Sequence, residues 1–344
     1  MDIDERKLKV LAAIAETYLD TGEPVGSKYV AQKLNGVVSP ATVRNDMAVL
    51  YEMGLLEQPY TSAGRIPSHL GLRLYIDKLM IAQPLNVGER NEIEALFNRR
   101  APDPDQLLED SAKALAELTG CAAISTTFYK QNAYVKKIEL IPATSHTVVI
   151  LLITSNGMIK NKVCRVNFVI NQKIIDFFTS FANSRITGRS INEITKEYIN
   201  SVAFVLGEYT DIFAPLLTGI YEICRETSDS KLYSSGESNL LEYDELRAVA
   251  NKLFKSIHSK EGMLPLIKNT GDDVHVSIGS EIKKSEFNDS SVLISKYKIG
   301  DDSFGVIGLV GPVRMDYAKL IPHLQYFSDT LGKLINDTLN ENEE

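Results

Sequence analysis

Ser39-Pro40-Ala41-Thr42-Val43-Arg44-Asn45-Asp46-Met47-Ala48-Val49-Leu50 is the stretch on which the first part of this chain turns. Ser39 is placed to accept from the free N–H groups that open a helix, and Pro40 suits the first helical position, where no N–H is required. Val43, Met47 and Leu50 recur at i, i+4 and i+7, so one stripe faces a core. The outward side offers Thr42, Arg44 and Asn45, with Asp46 beside them. Hydroxyl, guanidinium and amide groups gathered near a helix N-terminus are the chemistry that reads base edges and holds phosphates.

Upstream, Val25-Gly26-Ser27 opens a second short helix, with Ser27 as its expected cap and Val30, Ala31 and Leu34 as its apolar side. Asn35-Gly36-Val37-Val38 is a tight connection that suits a helix-turn-helix. Downstream, a strand is expected over residues 55–60, then a turn of Thr61-Ser62-Ala63-Gly64 and a return through Arg65-Ile66. A first helix over residues 4–19, with Leu8, Leu11, Ile14, Ala15 and Tyr18 buried, completes a winged helix. DNA contacts are expected from Ser39, Thr42, Arg44 and Asn45 on the reading helix and from Ser27 and Lys28 at the start of the helix before it. Arg65, after a flexible Gly64, is expected at the minor groove or its phosphates. A winged helix that docks on protein instead of DNA is the alternative the pattern leaves open.

At 344 residues, two or three domains are expected. The apolar fraction of 44% and the charged fraction of 24% are ordinary for a soluble globular protein. The net charge of −8 argues against a surface coated in positive charge, but residues 24–80 carry six basic against four acidic side chains, a local excess of +2. Cys121, Cys164 and Cys224 are sparse and set among apolar neighbours, so they read as buried thiols in a reducing cytoplasm. The acidic start Met1-Asp2-Ile3-Asp4-Glu5 has no apolar signal region, and no run of 18 apolar residues suggests a membrane span.

Along the chain, residues 1–80 form the expected DNA-binding domain, ending in a helix over residues 69–80, and residues 81–103 a helical linker. A helix over residues 104–119 with Gly120 as its C-cap leads into strand-like stretches at 122–126, 135–141, 147–154 and 158–168, with Ser155-Asn156-Gly157 as a hairpin turn. Residues 169–265 read as a mainly helical block, and strands resume at 274–278, 291–299 and 304–309 before a closing helix over 322–339. Strands before and after a helical block point to an α+β domain, residues 104–168 and 266–344, whose sheet is interrupted by an insertion. Three domains in series is the alternative. Phe177, Phe178, Phe181, Phe204, Phe213 and Tyr221 supply more aromatic surface than one helical layer needs, which suggests that the block dimerises; the same rings serving only as internal core is the other reading.

The sequence carries no recognisable catalytic or cofactor motif. His69, His146, His258, His275 and His323 show no metal-ligand spacing, and there is no G-x-S-x-G elbow. Gly305, Gly308 and Gly311 follow a strand but lack the dinucleotide-loop spacing. Asp301-Asp302 reads as a solvated turn. Neither cofactor nor metal is expected, and the chain is read as a binding protein and not an enzyme.

The sequence resembles the HrcA family of heat-inducible transcription repressors. The residues that carry the likeness are Gly22-Glu23-Pro24-Val25-Gly26-Ser27, the stretch from Ser39 to Met47, Leu50, Gly54-Leu55-Leu56, Ser62-Ala63-Gly64-Arg65-Ile66-Pro67 and Ile307-Gly308-Leu309-Val310-Gly311-Pro312-Val313-Arg314-Met315-Asp316-Tyr317. Ser68, His69 and Leu72 depart from the family pattern, on the helix behind the wing. The resemblance implies an N-terminal winged helix-turn-helix and a GAF-like domain interrupted by an inserted dimerising domain. It further implies a cytoplasmic homodimer that represses chaperone genes from an inverted-repeat operator in double-stranded DNA and is kept active by the GroE chaperonin. A regulator switched by a small ligand in the GAF-like domain is the rival expectation.

Overall fold

Helix α1 (Glu5–Thr21) begins where the Asp4 side chain accepts from the Lys7 N–H, and it ends at Gly22, whose left-handed backbone (φ 72°) turns its own N–H back to the Tyr18 carbonyl. Helices α2 (Ser27–Lys33) and α3 (Pro40–Glu52) pack on it through one core that includes Leu11, Ile14, Val30, Val43 and Leu50. A short antiparallel hairpin follows, β1 (Leu56–Glu57) and β2 (Ile66–Pro67). Its strands are shorter than the sequence suggested. Pro59 lacks an N–H for the ladder, and the Gln58 amide closes the loop by donating to the Thr61 and Ala63 carbonyls. The computed structural model describes residues 3–97, 104–128, 133–155, 158–228, 231–268, 271, 273–300 and 303–340, so Asn156, Gly157, Asp301 and Asp302 lie outside the described residues.

Gly64 is a close approach and not a hinge. A Cβ there would lie 2.4 Å from the Val25 carbonyl oxygen, and Val25 and Arg65 exchange both backbone hydrogen bonds at 2.9 Å. The expected helix over residues 69–80 divides into α4 (His69–Leu74) and a single π turn (Tyr75–Leu79), in which the Met80 N–H reaches the Tyr75 carbonyl. Then come α5 (Val87–Phe97) and α6 (Pro104–Thr119), capped at Gly120 (φ 64°).

β3 (Ala122–Phe128) enters a five-stranded antiparallel sheet of order β7-β3-β10-β9-β8. Its neighbours come from much later in the chain: β7 (Leu232–Ser235), β8 (His275–Ile278), β9 (Ser290–Ile299) and β10 (Ser303–Pro312). Alternation sorts the side chains. Ala123, Leu293, Tyr297, Ile307 and Leu309 face a core with Leu108 and Leu115 of α6 and with Leu324, Phe327 and Leu331 of the closing helix. Ile124, Val292, Ile294, Val306 and Val310 face Leu253, Ile257, Met263 and Ile267 on the opposite side.

Between β3 and β7 the chain builds a second unit. β4 (Val135–Thr144), β5 (Thr147–Thr154) and β6 (Ile159–Arg165) form their own three-stranded sheet, covered by α7 (Gln172–Ile186), α8 (Lys196–Val205) and α9 (Thr210–Ser228). Ile138, Ile150 and Leu152 share one core with Phe178, Phe213, Leu217 and Ile220. The expected block 169–265 is therefore corrected at both ends. The strands from residue 135 onward belong to the insertion, because their inward faces pack on its helices. After β7, α10 (Asp244–Arg247), α11 (Ala250–His258) and α12 (Lys260–Lys268) belong to the five-stranded body, where Leu246, Leu253, Ile257 and Met263 are buried.

The closing helix α13 (Tyr317–Asn340) starts five residues ahead of its expected first residue, Pro322, and carries that proline inside. Proline removes one helical donor, and the Gln83 N–H takes its place on the Ala318 carbonyl at 2.9 Å.

Candidate nucleic-acid interface

Ser39 caps α3 by accepting the Thr42 N–H at 3.2 Å, and its hydroxyl lies 2.9 Å from that of Thr42. Val43, Met47 and Leu50 are buried, while Arg44 and Asn45 are exposed together with Ala48 and Val49; Thr42 is half-buried. The Ser39 hydroxyl is thus committed to the cap, and of the side chains expected to read DNA on α3, Arg44 and Asn45 are the exposed ones. Among the described residues Arg44 has no ion-pair partner.

Asp46 does not join that outward face. It is 3% exposed, and both its oxygens take the Arg6 guanidinium, at 2.8 and 2.9 Å. With both oxygens engaged by Arg6, Asp46 is not an ion-pair partner of Arg44.

On α2 the cap is Gly26 and not Ser27, which is the first helical residue and makes no capping bond. Lys28 is exposed beside it. The Val25–Arg65 bridge brings the start of α2 against the hairpin, so Ser27, Lys28 and Arg65 lie on neighbouring backbone. Arg65 is half-buried. Its guanidinium sits 4.9 Å from the centre of the Tyr51 ring on α3, and its Nε is buried without a hydrogen-bond partner. Tyr29, Tyr51 and Tyr60 are largely exposed on α2, α3 and the hairpin loop. The sequence reading overlooked them because lone tyrosines outside an apolar stripe carry no periodic signal.

An ion pair ties this unit to the body. Arg73 of α4 forks onto Glu281 at 2.9 and 2.6 Å and donates to the Val276 carbonyl, and beside it His69 Nδ1 lies 3.1 Å from Ser280 Oγ. Burial works against the Glu281 charge, yet the Arg73 fork and the Ile278 N–H hold its carboxyl below the ordinary value. Arg314 lies against the α1 cap at Gly22 and bonds Glu245 at 2.6 Å. The cleft there, about 440 Å³, is lined by Glu23, Glu57, Asp244, Glu245 and Asp289. Among the described residues no cluster has the makings of a metal site.

Residues 105–321 match the family model described as the HrcA protein C terminal domain. The chain belongs to the HrcA family. It is 35% identical over 341 residues to the heat-inducible transcription repressor HrcA of Clostridium botulinum (strain Alaska E43 / Type E3), covering 98% of this chain and 99% of that protein. The protein of the same name from Clostridium acetobutylicum is 34% identical over 342 residues, with 99% and 100% covered, and that from Thermoanaerobacter sp. (strain X514) is 33% identical over 348. A crystal structure described as that of a hypothetical protein shares the fold across 98% of this chain and all of its own, with a TM-score of 0.71 at 23% identity.

Of the aromatics expected at a dimer contact of this HrcA-family chain, Phe178 (0% exposed) and Phe213 (4%) are internal. Their rings stack at 4.9 Å inside the inserted unit, so they are core residues and the expectation is corrected for both. Phe177 and Phe204 are exposed, at 50% and 86%, and Phe181 and Tyr221 are half-buried. Val205, Tyr209 and Ile212 are exposed as well. Among the described residues no helix is long and apolar enough to cross a membrane.

Proposed function

We propose that this chain is a transcription repressor of heat-shock chaperone genes that binds double-stranded operator DNA through a winged helix-turn-helix. The observation that carries the reading is the pairing of exposed Arg44 and Asn45 on a capped helix whose opposite face is buried in its own core. α3 is the reading helix, entering the major groove with its N-terminal side chains. Arg44 contacts guanine, Asn45 contacts adenine or a phosphate, and Ser27, Lys28 and Thr42 hold the backbone. Arg65 serves the wing. Relatives across nearly the full length are named as heat-inducible transcription repressors, which supports the same role here.

The five-stranded body is read as GAF-like and the unit between β3 and β7 as the dimerising insertion. A homodimer places two reading helices on an inverted repeat, with half-sites one helical turn or a multiple apart. Exposed Phe177 and Phe204, with Val205, Tyr209 and Ile212, make the apolar surface for that contact. The GroE chaperonin is proposed as the partner that keeps the repressor active, an assignment that rests on family resemblance. Footprinting the purified protein on its own upstream promoter, with and without chaperonin, tests the whole reading. Protection of an inverted repeat, strengthened by chaperonin at unchanged sequence, is the expected result; no protection at any salt concentration would remove DNA binding.

A further inference from the structure

We infer that Arg6 and Asp46 are positioning residues for base reading, a role that rests on α3 being the reading helix. Asp46 is next to Asn45 and two residues from Arg44, yet it points inward, with its side chain 4% exposed. Among the described residues its partner is Arg6, 40 residues away at the first turn of α1, which engages both carboxylate oxygens. The rest of the contact between these helices is aliphatic, through Val10, Leu11 and Ile14 against Val43, Met47 and Leu50.

Aliphatic packing is non-directional and tolerates a helix rolling or sliding by small amounts. A two-pronged guanidinium–carboxylate pair fixes both distance and angle. That matters at the tips of Arg44 and Asn45. A side-chain atom about 5 Å from a helix axis moves about 2 Å when the helix rolls by about 20°, more than a hydrogen bond to a base edge tolerates. Asp46 is buried while Arg6 stays half-exposed, so the pair is only partly desolvated, and such a pair contributes to the choice of one arrangement more than to stability. The pair also neutralises the one carboxylate on α3 adjacent to the residues that face phosphate. Arg6 and Asp46 therefore set the roll of α3 and, through it, the discrimination between operator and other DNA.

Replacing both residues, Arg6→Met with Asp46→Leu, exchanges the pair for apolar side chains of similar size. The full-length double variant is expected to melt at or above the parent's temperature. Its preference for operator over scrambled DNA should fall at least about tenfold, while its affinity for scrambled DNA and the salt dependence of that affinity stay unchanged. Should that variant not fold, Arg6→Lys decides, because it keeps the charge and loses the fork; the same loss of preference is expected. Parent-like discrimination in the folded variant overturns the inference. So does a salt slope lowered by about one, which would make Arg6 a phosphate contact in its own right. A parent protein that shows no operator preference counts instead against the DNA-binding reading.

Discussion

In the proposed interface, exposed Arg44 and Lys28 have different roles. Arg44 lies on the proposed reading helix with no ion-pair partner among the described residues, so Arg44→Ala is expected to lose operator preference, by roughly 1–3 kcal/mol of discrimination. Lys28 faces a backbone phosphate in the proposed arrangement. Lys28→Ala is expected to weaken operator and scrambled DNA alike and to lower the salt slope by about one. Titrating both variants against both DNAs at two salt concentrations separates these outcomes, and undiminished discrimination by folded Arg44→Ala would take that residue out of the reading set. Gly64→Ala should unfold at lower urea, by about 1–3 kcal/mol, because the new methyl meets the Val25 carbonyl. At this scale the outward placement of Arg44 and Asn45 was legible from the helical stripe. Asp46 was misjudged by its polarity: three residues after Val43 and four before Leu50, it lies on the inward stripe, and only a distant Arg6 makes that position tolerable. That partner leaves no local trace.

Among the elements, the helices and most strands were readable because each carries its own period, a cap or a stop. Their sorting was not. β4, β5 and β6 alternate just as body strands do, and the choice of sheet is made by which helices cover their inner faces, a contact between residues such as Ile150 and Leu217 that local pattern does not encode. The aromatic surplus was visible, but which rings point outward depends on how α7, α8 and α9 pack on the three-stranded sheet. Phe204→Asp, at an 86% exposed site, is therefore expected to give a folded monomer by sedimentation. Phe178→Ala should instead destabilise the inserted unit by about 3–5 kcal/mol, seen as an earlier denaturant midpoint. A Phe204→Asp protein that stays a tight dimer would move the contact elsewhere.

Across the whole molecule, the Arg73–Glu281 ion pair helps to hold the N-terminal unit on the body. Folding depresses the Glu281 carboxyl, so its contribution is present above the ordinary carboxylate value and fades as pH falls through the lowered one. Acidification below about pH 4.5 should accordingly loosen the docking, read as faster protease cleavage between residues 80 and 104. The acid step should vanish in Glu281→Gln, which starts loosened at neutral pH; a parent-like acid profile in that variant would remove the bridge from the docking. The body also has a property that follows from its strand order. β3 and β7 are adjacent and antiparallel, Ala123 opposite Ser235 and Thr126 opposite Leu232. In connectivity the entire inserted unit is thus a hairpin loop grown to about a hundred residues, and the entropy of closing such a loop rises only slowly with length. Swapping it for a short turn should leave a body that still zips up its ladder, while a lineage could refashion the inserted unit at leisure without touching the sheet that carries it.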